Sequence, residues 1–480
     1  MRLVSAFIRW RNAFFNPTPV RHSYTPIDTA HDGQQPTCTP RTLAKAFIVV
    51  FALAVPATIL YNLAHSPRID LVHLPDVPSL RVHESKLPQH NDSYAQSGRF
   101  VRFLSQHHWG EGFNNAWEEF ILLAEIARRA KRAYVFRDLV FKDNSEWPFT
   151  AFMGGPIAGG PWPPGEPDLP AVSMDWYQSK ACPRSRRTVL NANNIWFRLD
   201  LDSKDAETIV IAWADLLLKD PNPCIDIEGR GFFSLDLWFG RPQRAITIWP
   251  ILSKSPLITH HAWSNAVYTA VTRNLALITH NALTPTTERH SLAAAPSADP
   301  PLRAHTELAR VLALHIRRGD YEGHCWILAH FSSPYASWNV LPGLPDTYTP
   351  ATSDDDKSRL IPHCLPDVAT MCARVEVVLR EYRERNPDAP KIEEVYLMTN
   401  ADDEFVQEVR RALVTIGLER LVTTKDLALV DAENFANMVI DMEIGIRAAL
   451  FIGNGFSTFT STIVALRDAR GAPIQNSRFW

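Results

Sequence analysis

The chain has 480 residues, a formal net charge of -3 and 21% charged residues. That balance excludes a nucleic-acid binder working through a basic face, and the length allows two domains of ordinary size plus extensions. Prolines (36) outnumber glycines (20) and no internal repeat is found, which excludes a regular repeat architecture.

Residues 1–45 are polar and irregular and read as a cytosolic tail. Ala46 to Ala64 then carries no charge over 19 positions, close to the ~20 residues a membrane-spanning helix needs. Pro56 lies inside it, which membrane helices tolerate. Arg2, Arg9, Arg11, Arg21, Arg41 and Lys45 precede it against only Asp28 and Asp32, so the positive-inside bias puts the N-terminus in the cytosol. The stretch is expected to be a single-pass signal anchor, with the chain beyond residue 65 in the lumen of the secretory pathway; a buried core helix is the alternative. Residues 65–95 read as a stem, proline-spaced and without helical period. Asn91-Asp92-Ser93 is the only glycosylation sequon and lies just past the span. Cys38 precedes the span, while Cys182, Cys224, Cys325, Cys364 and Cys372 come after it. An odd number leaves at least one thiol free or paired between chains, and the connectivity stays open.

A first αβ region, residues 96–300, begins with a strand at Val101–Leu104. A Gly-rich turn, a helix over 114–131 and a strand at Ala133–Phe136 complete a βαβ unit. On that helix Trp117, Phe120, Ile121, Ala124 and Ala127 share one face, and Glu125 pairs with Arg129 at i,i+4. Residues 153–170 and 284–301 are too rich in Gly, Pro, Ala and Ser for regular structure. The second region, 301–480, shows strands at Val311–Ile316, Glu394–Thr399 and Leu450–Gly453. Helices are expected at 367–385, 402–416, 441–449 and 461–467. Such alternation predicts an α/β fold of parallel sheets covered by helices, in two Rossmann-like domains facing a cleft where a ligand would bind.

Three segments offer groups suited to a diphosphate. In Gly110-Glu111-Gly112-Phe113-Asn114-Asn115 the glycines permit close backbone approach, and the helix start favours an anion. Asn114 is placed to cap that helix and turn its amide toward a ligand. Glu111 is out of place beside a phosphate site, which makes it a candidate general base, with a surface Glu in a helix-entry turn as the alternative. In His315-Ile316-Arg317-Arg318-Gly319-Asp320, strand alternation puts His315 and Arg317 on one face. Arg317 suits bidentate contact with a diphosphate leaving group, whereas Arg318 is assigned to a salt bridge with Asp320. In Phe451-Ile452-Gly453-Asn454 running on to Ser457-Thr458-Phe459-Thr460, hydroxyls gather at another helix start, where simple N-capping is the alternative. Asp441, 16 residues before Ser457, can accept hydrogen bonds from a base such as guanine or merely open a helix.

Two features are set aside. Asp354-Asp355-Asp356 resembles a metal-holding acidic triplet but has no strand ahead of it, and reads as a solvated turn. His107-His108 and His260-His261 lack a matching ligand set, so no metal is assigned.

These residues resemble the GDP-fucose protein O-fucosyltransferase family, in a fungal-type, membrane-anchored form. Glu111-Gly112-Phe113-Asn114 is similar to the family's N-terminal motif, as found in enzymes that modify thrombospondin-type repeats. His315-Ile316-Arg317 is similar to its His-x-Arg motif. Asp441, Phe451-Ile452-Gly453-Asn454, Ser457-Thr458-Phe459-Thr460, Arg467-Asp468 and Gly471 are similar to its guanine- and phosphate-binding segment. The resemblance implies a GT-B-like fold and metal-independent, inverting transfer with no cofactor beyond the donor GDP-fucose. It implies Glu111 and Arg317 as catalytic, and Gly112, Phe113, Asn114, His315, Asp441, Ser457, Thr458 and Phe459 as donor-binding. The acceptor is expected to be a protein or glycan, and residence is expected in the Golgi or endoplasmic reticulum membrane. Two rivals stay open: a GT-B transferase for another nucleotide sugar or a glycan acceptor, and an inactive, membrane-anchored nucleotide- or glycan-binding protein.

Overall fold

The computed structural model describes residues 77–104, 112–141, 145–166, 169–229, 239–280 and 308–480. The apolar stretch 46–64, Cys38, Glu111, His107-His108 and the linker 284–301 lie outside the described residues. Among the described residues no helix is long and apolar enough to cross a membrane.

Two five-stranded parallel sheets organise the chain. The N-terminal sheet contains β1 (Phe100–Phe103), β2 (Ala133–Phe136), β3 (Val172–Ser173), β4 (Arg187–Asn191) and β5 (Cys224–Glu228), in the order β3-β2-β1-β5-β4. The C-terminal sheet contains β6 (Val311–Ile316), β7 (Glu394–Thr399), β8 (Arg420–Thr423), β9 (Leu450–Gly453) and β10 (Ser477–Phe479), in the order β8-β7-β6-β9-β10. In each sheet the chain starts in the middle, builds one side and returns to the other. The reversal falls between β1 and β5 in one sheet and between β6 and β9 in the other, and the carboxyl ends of such strand pairs are where ligands bind in open parallel sheets.

The main helices are α1 (Phe113–Arg129), α2 (Ala206–Lys219), α3 (Asn265–Ile278), α4 (Tyr321–His330), α5 (Val368–Arg385), α6 (Asp403–Thr415), α7 (Asn437–Arg447) and α8 (Thr458–Ala469). Alternation along β6 sets their placement. Leu312, Leu314 and Ile316 join Val375, Val378 and Leu379 of α5 and Val406, Val409 and Leu413 of α6 in one apolar cluster. Val311 and Ala313 belong instead to the larger core, with Val439 and Ile440 of α7 and Ile463 and Val464 of α8. That core runs on into the N-terminal half through Ala116, Trp117, Phe120 and Ile121 of α1. α1 is buried over nearly its whole length because it lies between the two halves, and its buried positions include Asn114, Glu118, Glu119 and Glu125. Glu125 accepts from Arg129 at 2.8 Å, as the i,i+4 spacing predicts, and also from Arg128 at 2.9 Å and Ser255 at 2.7 Å.

Three expectations change. The stretch 65–95 shows no helical period, yet its described part forms short helices at Val77–Ser85 and Asp92–Ser97 held by tertiary contacts. Glu84 accepts from the Thr150 hydroxyl at 2.8 Å, Gln89 donates to the Ala171 carbonyl at 2.6 Å, and Asn91 caps the second helix. α3 precedes residue 300 in the chain but packs on α7, with Arg273 on Glu433 at 2.6 Å. α7 begins at Asn437 rather than Asp441, because the short 3-10 turn Asp431–Ala436 runs straight into it. The disulfides are Cys182–Cys224 and Cys325–Cys364, and Cys372 is free.

Candidate functional site

The carboxyl end of β6 supplies the first part. His315 is buried, its ring 4.4 Å from that of Phe459 and its Nδ1 2.8 Å from Thr460 Oγ1. Burial, and then the charge of Arg317, push its pKa down to about 3, so the imidazole is neutral. Arg317 lies just past the strand end. Its guanidinium is 3.3 Å from Asp320 and 5.8 Å from the centre of the Tyr321 ring. The sequence pairs Asp320 with Arg318, and the structure gives it to Arg317 instead. The reason is the turn: Gly319 has φ +63°, and Asn400 grips the Arg318 backbone with two hydrogen bonds of 2.8 Å. Arg318 is thereby directed away, to the Pro366 carbonyl and the face of Phe405. The Arg317–Asp320 pair has side chains 39% and 63% exposed, so it contributes little and leaves the guanidinium free to turn to an anion.

The neighbouring strand β9 supplies the second part. A Cβ on Gly453 would stand 2.6 Å from Thr460, so only glycine lets β9 pass this close to α8. Asn454 builds the next turn: Nδ2 donates to the Cys364 carbonyl at 2.8 Å and Oδ1 accepts from Phe456 N at 2.9 Å. Ser457 caps α8, accepting from Phe459 N at 3.3 Å. Tyr321 donates to the Phe456 carbonyl at 3.1 Å and ties this turn to the Arg317 segment.

The start of α1 supplies the third part. Gly112 is the N-cap and offers no side chain, and the space a Cβ would take there is open. Phe113 lies in the core against Phe152 and Trp263, so only its backbone can face a ligand. Asn114 does not cap the helix; it sits inside the first turn. Its Nδ2 is 3.6 Å from Met438 Sδ, and its buried Oδ1 has no partner among the described residues. Asn115 accepts from the Thr458 hydroxyl at 2.7 Å. One turn further along both helices, Ser461 donates to Glu118 at 2.9 Å. α1 and α8 therefore run side by side in the same direction, with adjacent N-termini. The positive ends of two helix dipoles are thus adjacent, and α8 is tied through Thr460 to His315, two residues before Arg317.

Asp441 lies in mid-helix on α7, one turn after Met438. It accepts from Tyr396 at 2.6 Å and, on both oxygens, from Thr424 at 2.8 Å. Burial raises its pKa to about 7. Contacts thus link Gly112–Asn115, His315–Arg317 and Ser457–Thr460, whereas Asp441 is held by Tyr396 and Thr424 and shares with them only its helix, whose Met438 meets Asn114. Glu111 immediately precedes Gly112 but lies outside the described residues. The acidic triplet falls in a 3-10 turn, Asp354–Leu360, where Asp356 accepts from Ser353 at 3.3 Å. Among the described residues no group of three or more His, Cys, Asp or Glu is placed to hold a metal ion.

Several members are not evident from sequence alone. Asn115 lies in the first Gly-rich motif, and its pairing with Thr458 joins positions 343 residues apart. Tyr321 comes directly after the Arg317 motif, and an aromatic next to a fixed guanidinium is a readable signal. Ser337 and Asn339 lie in a short 3-10 turn, Ser337–Val340, that no sequence signal announces; Asn339 donates to the Gly455 and Ser457 carbonyls at 2.9 and 3.2 Å.

No protein-family model and no curated protein matches the sequence. Solved structures to which the chain is similar include POFUT1 in complex with GDP, at 14% identity and TM-score 0.49, over 80% of this chain and 99% of that one. NodZ alpha-1,6-fucosyltransferase soaked with GDP-fucose matches at 14% identity and TM-score 0.34, over 77% of this chain and 93% of that one. An Arabidopsis thaliana FUT1 mutant in complex with GDP matches at 10% identity and TM-score 0.33, over 82% and 73%.

Proposed function

We propose that this chain is a glycosyltransferase that moves fucose from GDP-fucose to a Ser or Thr hydroxyl of a protein, with inversion and without a metal. The observation that carries the reading is the Thr458–Asn115 hydrogen bond, which sets two helix N-termini together after β9, with α8 tied through Thr460 to His315 at the end of β6, two residues before Arg317. That is the arrangement a diphosphate needs: converging N–H donors, one mobile guanidinium and a neutral floor in His315.

In this reading the diphosphate lies across the starts of α1 and α8, with Ser457, Thr458 and the backbone of Gly112 and Phe113 around it. Asn114 brings an unsatisfied carbonyl oxygen, able to accept from a sugar hydroxyl. Phe459 packs on His315 and shapes the wall. Asp441 accepts from guanine. Glu111 takes the proton of the acceptor hydroxyl, whose oxygen attacks the anomeric carbon from the side opposite GDP. The bond to the β-phosphate oxygen breaks, and Arg317 leaves Asp320 to meet the charge that develops there. The disulfides, the sequon and the apolar stretch 46–64 support a type II, single-pass protein with its folded part in the lumen of the Golgi or endoplasmic reticulum.

Calorimetric titration of the purified chain with GDP and UDP, wild type beside Arg317→Ala, tests the reading. GDP binding without UDP binding, weakened about tenfold by the substitution, is expected. Folded wild-type protein that ignores GDP would sink the donor assignment.

A further inference from the structure

One buried acid has no part in the chemistry above. Glu118 is 1% exposed on α1, one turn past Asn114 and Asn115. Its Oε2 accepts from the Ser337 hydroxyl at 2.8 Å and its Oε1 from Ser461 at 2.9 Å. Both partners belong to the other half of the molecule. Ser461 lies one turn past Thr458 on α8, and its oxygen also accepts from Trp338 N at 2.9 Å.

The loop that holds these contacts is itself aimed at the site. Ala336 N donates to the Gly455 carbonyl at 2.9 Å, and Asn339 reaches the Gly455 and Ser457 carbonyls. Residues 336–339 therefore brace the turn that presents Ser457 and Thr458. Ser337 has φ +49° and is fully buried, whereas the other non-glycine residues with positive φ among the described residues, Lys131, Asp200 and Ser332, are not. A non-glycine residue holds such a backbone in a core only where its surroundings enforce it. Here the surroundings include the hydroxyl's bond to Glu118, beside the bonds of Ala336 N to Gly455 and of Trp338 N to Ser461.

We propose that Glu118 is the positioning residue of the donor site, setting the height of α8 against α1 so that Thr458 meets Asn115 and both helix N-termini face one diphosphate. This rests on the donor-site reading above. Glu118 touches no substrate and acts through Ser461 and Ser337. Burial raises its pKa to about 8; when it holds a proton, one oxygen donates to its serine while the other accepts, so the clasp between two hydroxyls persists without an ion pair.

The test is GDP titration of the full chain by calorimetry, with UDP as control, at a temperature where each variant is shown to be folded. Glu118→Ala is expected to weaken GDP binding at least about tenfold, and Glu118→Gln, which keeps the shape and both polar atoms, to restore it within about threefold. Combining Glu118→Ala with Thr458→Val is expected to cost little more than the worse single change, because one acts through the other. Ser337→Gly removes the hydroxyl while suiting the positive φ, and serves where Glu118→Ala does not fold; it is expected to weaken GDP binding in the same direction. A wild type that binds no GDP sinks the site reading and this proposal with it. A wild type that binds GDP, beside folded Glu118→Ala or Ser337→Gly that binds it equally well, overturns the role of Glu118 alone.

Discussion

The Thr458 hydroxyl donates to Asn115 at 2.7 Å, joining the first residue of α8 to the first turn of α1 across the two halves of the chain. Neither helix start would be more than an ordinary N-terminus alone. Together they concentrate partial positive charge on one spot. Thr458→Val, nearly the same shape without the hydroxyl, is therefore expected to weaken GDP binding about fivefold to tenfold while changing thermal stability little, since the site is only half-buried. Calorimetry and a melting curve on one preparation check both parts; a fall in melting temperature with unchanged GDP affinity would make the bond purely structural.

Arg317 poses a question of geometry rather than charge. A planar fork grips two phosphate oxygens in one fixed geometry, whereas an ammonium acts as a point charge without it. Arg317→Lys is expected to lose most turnover, at least about a hundredfold, and to retain much of the GDP affinity, because the developing charge on the leaving oxygen is felt chiefly in the transition state. Steady-state kinetics with GDP-fucose and an acceptor read this directly. A raised KM with kcat unchanged would instead point to ground-state binding.

Much of the scaffold is legible in the sequence because it arises from apolar runs and caps. Val311–Ile316, Glu394–Thr399 and Leu450–Gly453 are strands with the bounds their apolar runs predict. Asp367 and Asp402 cap α5 and α6, accepting from the amides of Thr370 and Phe405. The unreadable parts depend on distance along the chain or on tertiary support. Val77–Ser85 has no helical stripe and is held by Glu84 reaching Thr150. The choice of Arg317 over Arg318 as the partner of Asp320 depends on Asn400, 80 residues later. Glu118 is buried between the halves, and nothing in its local pattern announces that α8 covers it.

Glu111→Gln separates binding from proton removal. The amide keeps the size and loses the base, so turnover is expected to fall by about 10²–10⁴ with GDP affinity within about twofold of wild type. Transfer assays beside calorimetry check it. Unchanged turnover would return Glu111 to a plain surface position and leave the base unassigned.

Under the proposed role of Asp441 as acceptor for guanine, stability and donor affinity are expected to move oppositely with pH. Its folded-state pKa, about 7, lies above its ordinary value of 3.8, so the stability linked to it is full below the ordinary value and is lost as pH rises through about 7. Guanine, a donor at its N1 and exocyclic amine, needs the carboxylate. GDP affinity is therefore expected to rise by up to about tenfold between pH 6 and 8 while the melting temperature falls. Glu118, at about 8, titrates at the edge of that window. Asp441→Asn provides the control: it should flatten the affinity profile and leave the Glu118 contribution in place. A wild-type affinity that is flat across this range would show that Asp441 is a structural acid held by Tyr396 and Thr424.

The Cys325–Cys364 disulfide ties α4, just after the Arg317 turn, to the segment whose carbonyls receive Asn454 and Arg318. It thus braces the carboxyl ends of both β6 and β9 from behind. Opening it frees a loop of 39 residues and should lower stability by about 2–4 kcal/mol. Cys325→Ser with Cys364→Ser is expected to shift the denaturation midpoint by that amount and, in folded protein, to weaken GDP binding as well, because Asn454 shapes the turn before Ser457. Cys182→Ser with Cys224→Ser removes the bridge of the N-terminal half, which lies in a separate apolar cluster with Phe100 and Trp176. It should lower stability and leave GDP affinity alone. Equal effects on affinity from the two pairs would mean that the Cys325–Cys364 bridge acts through overall stability, and not through the strand ends it joins.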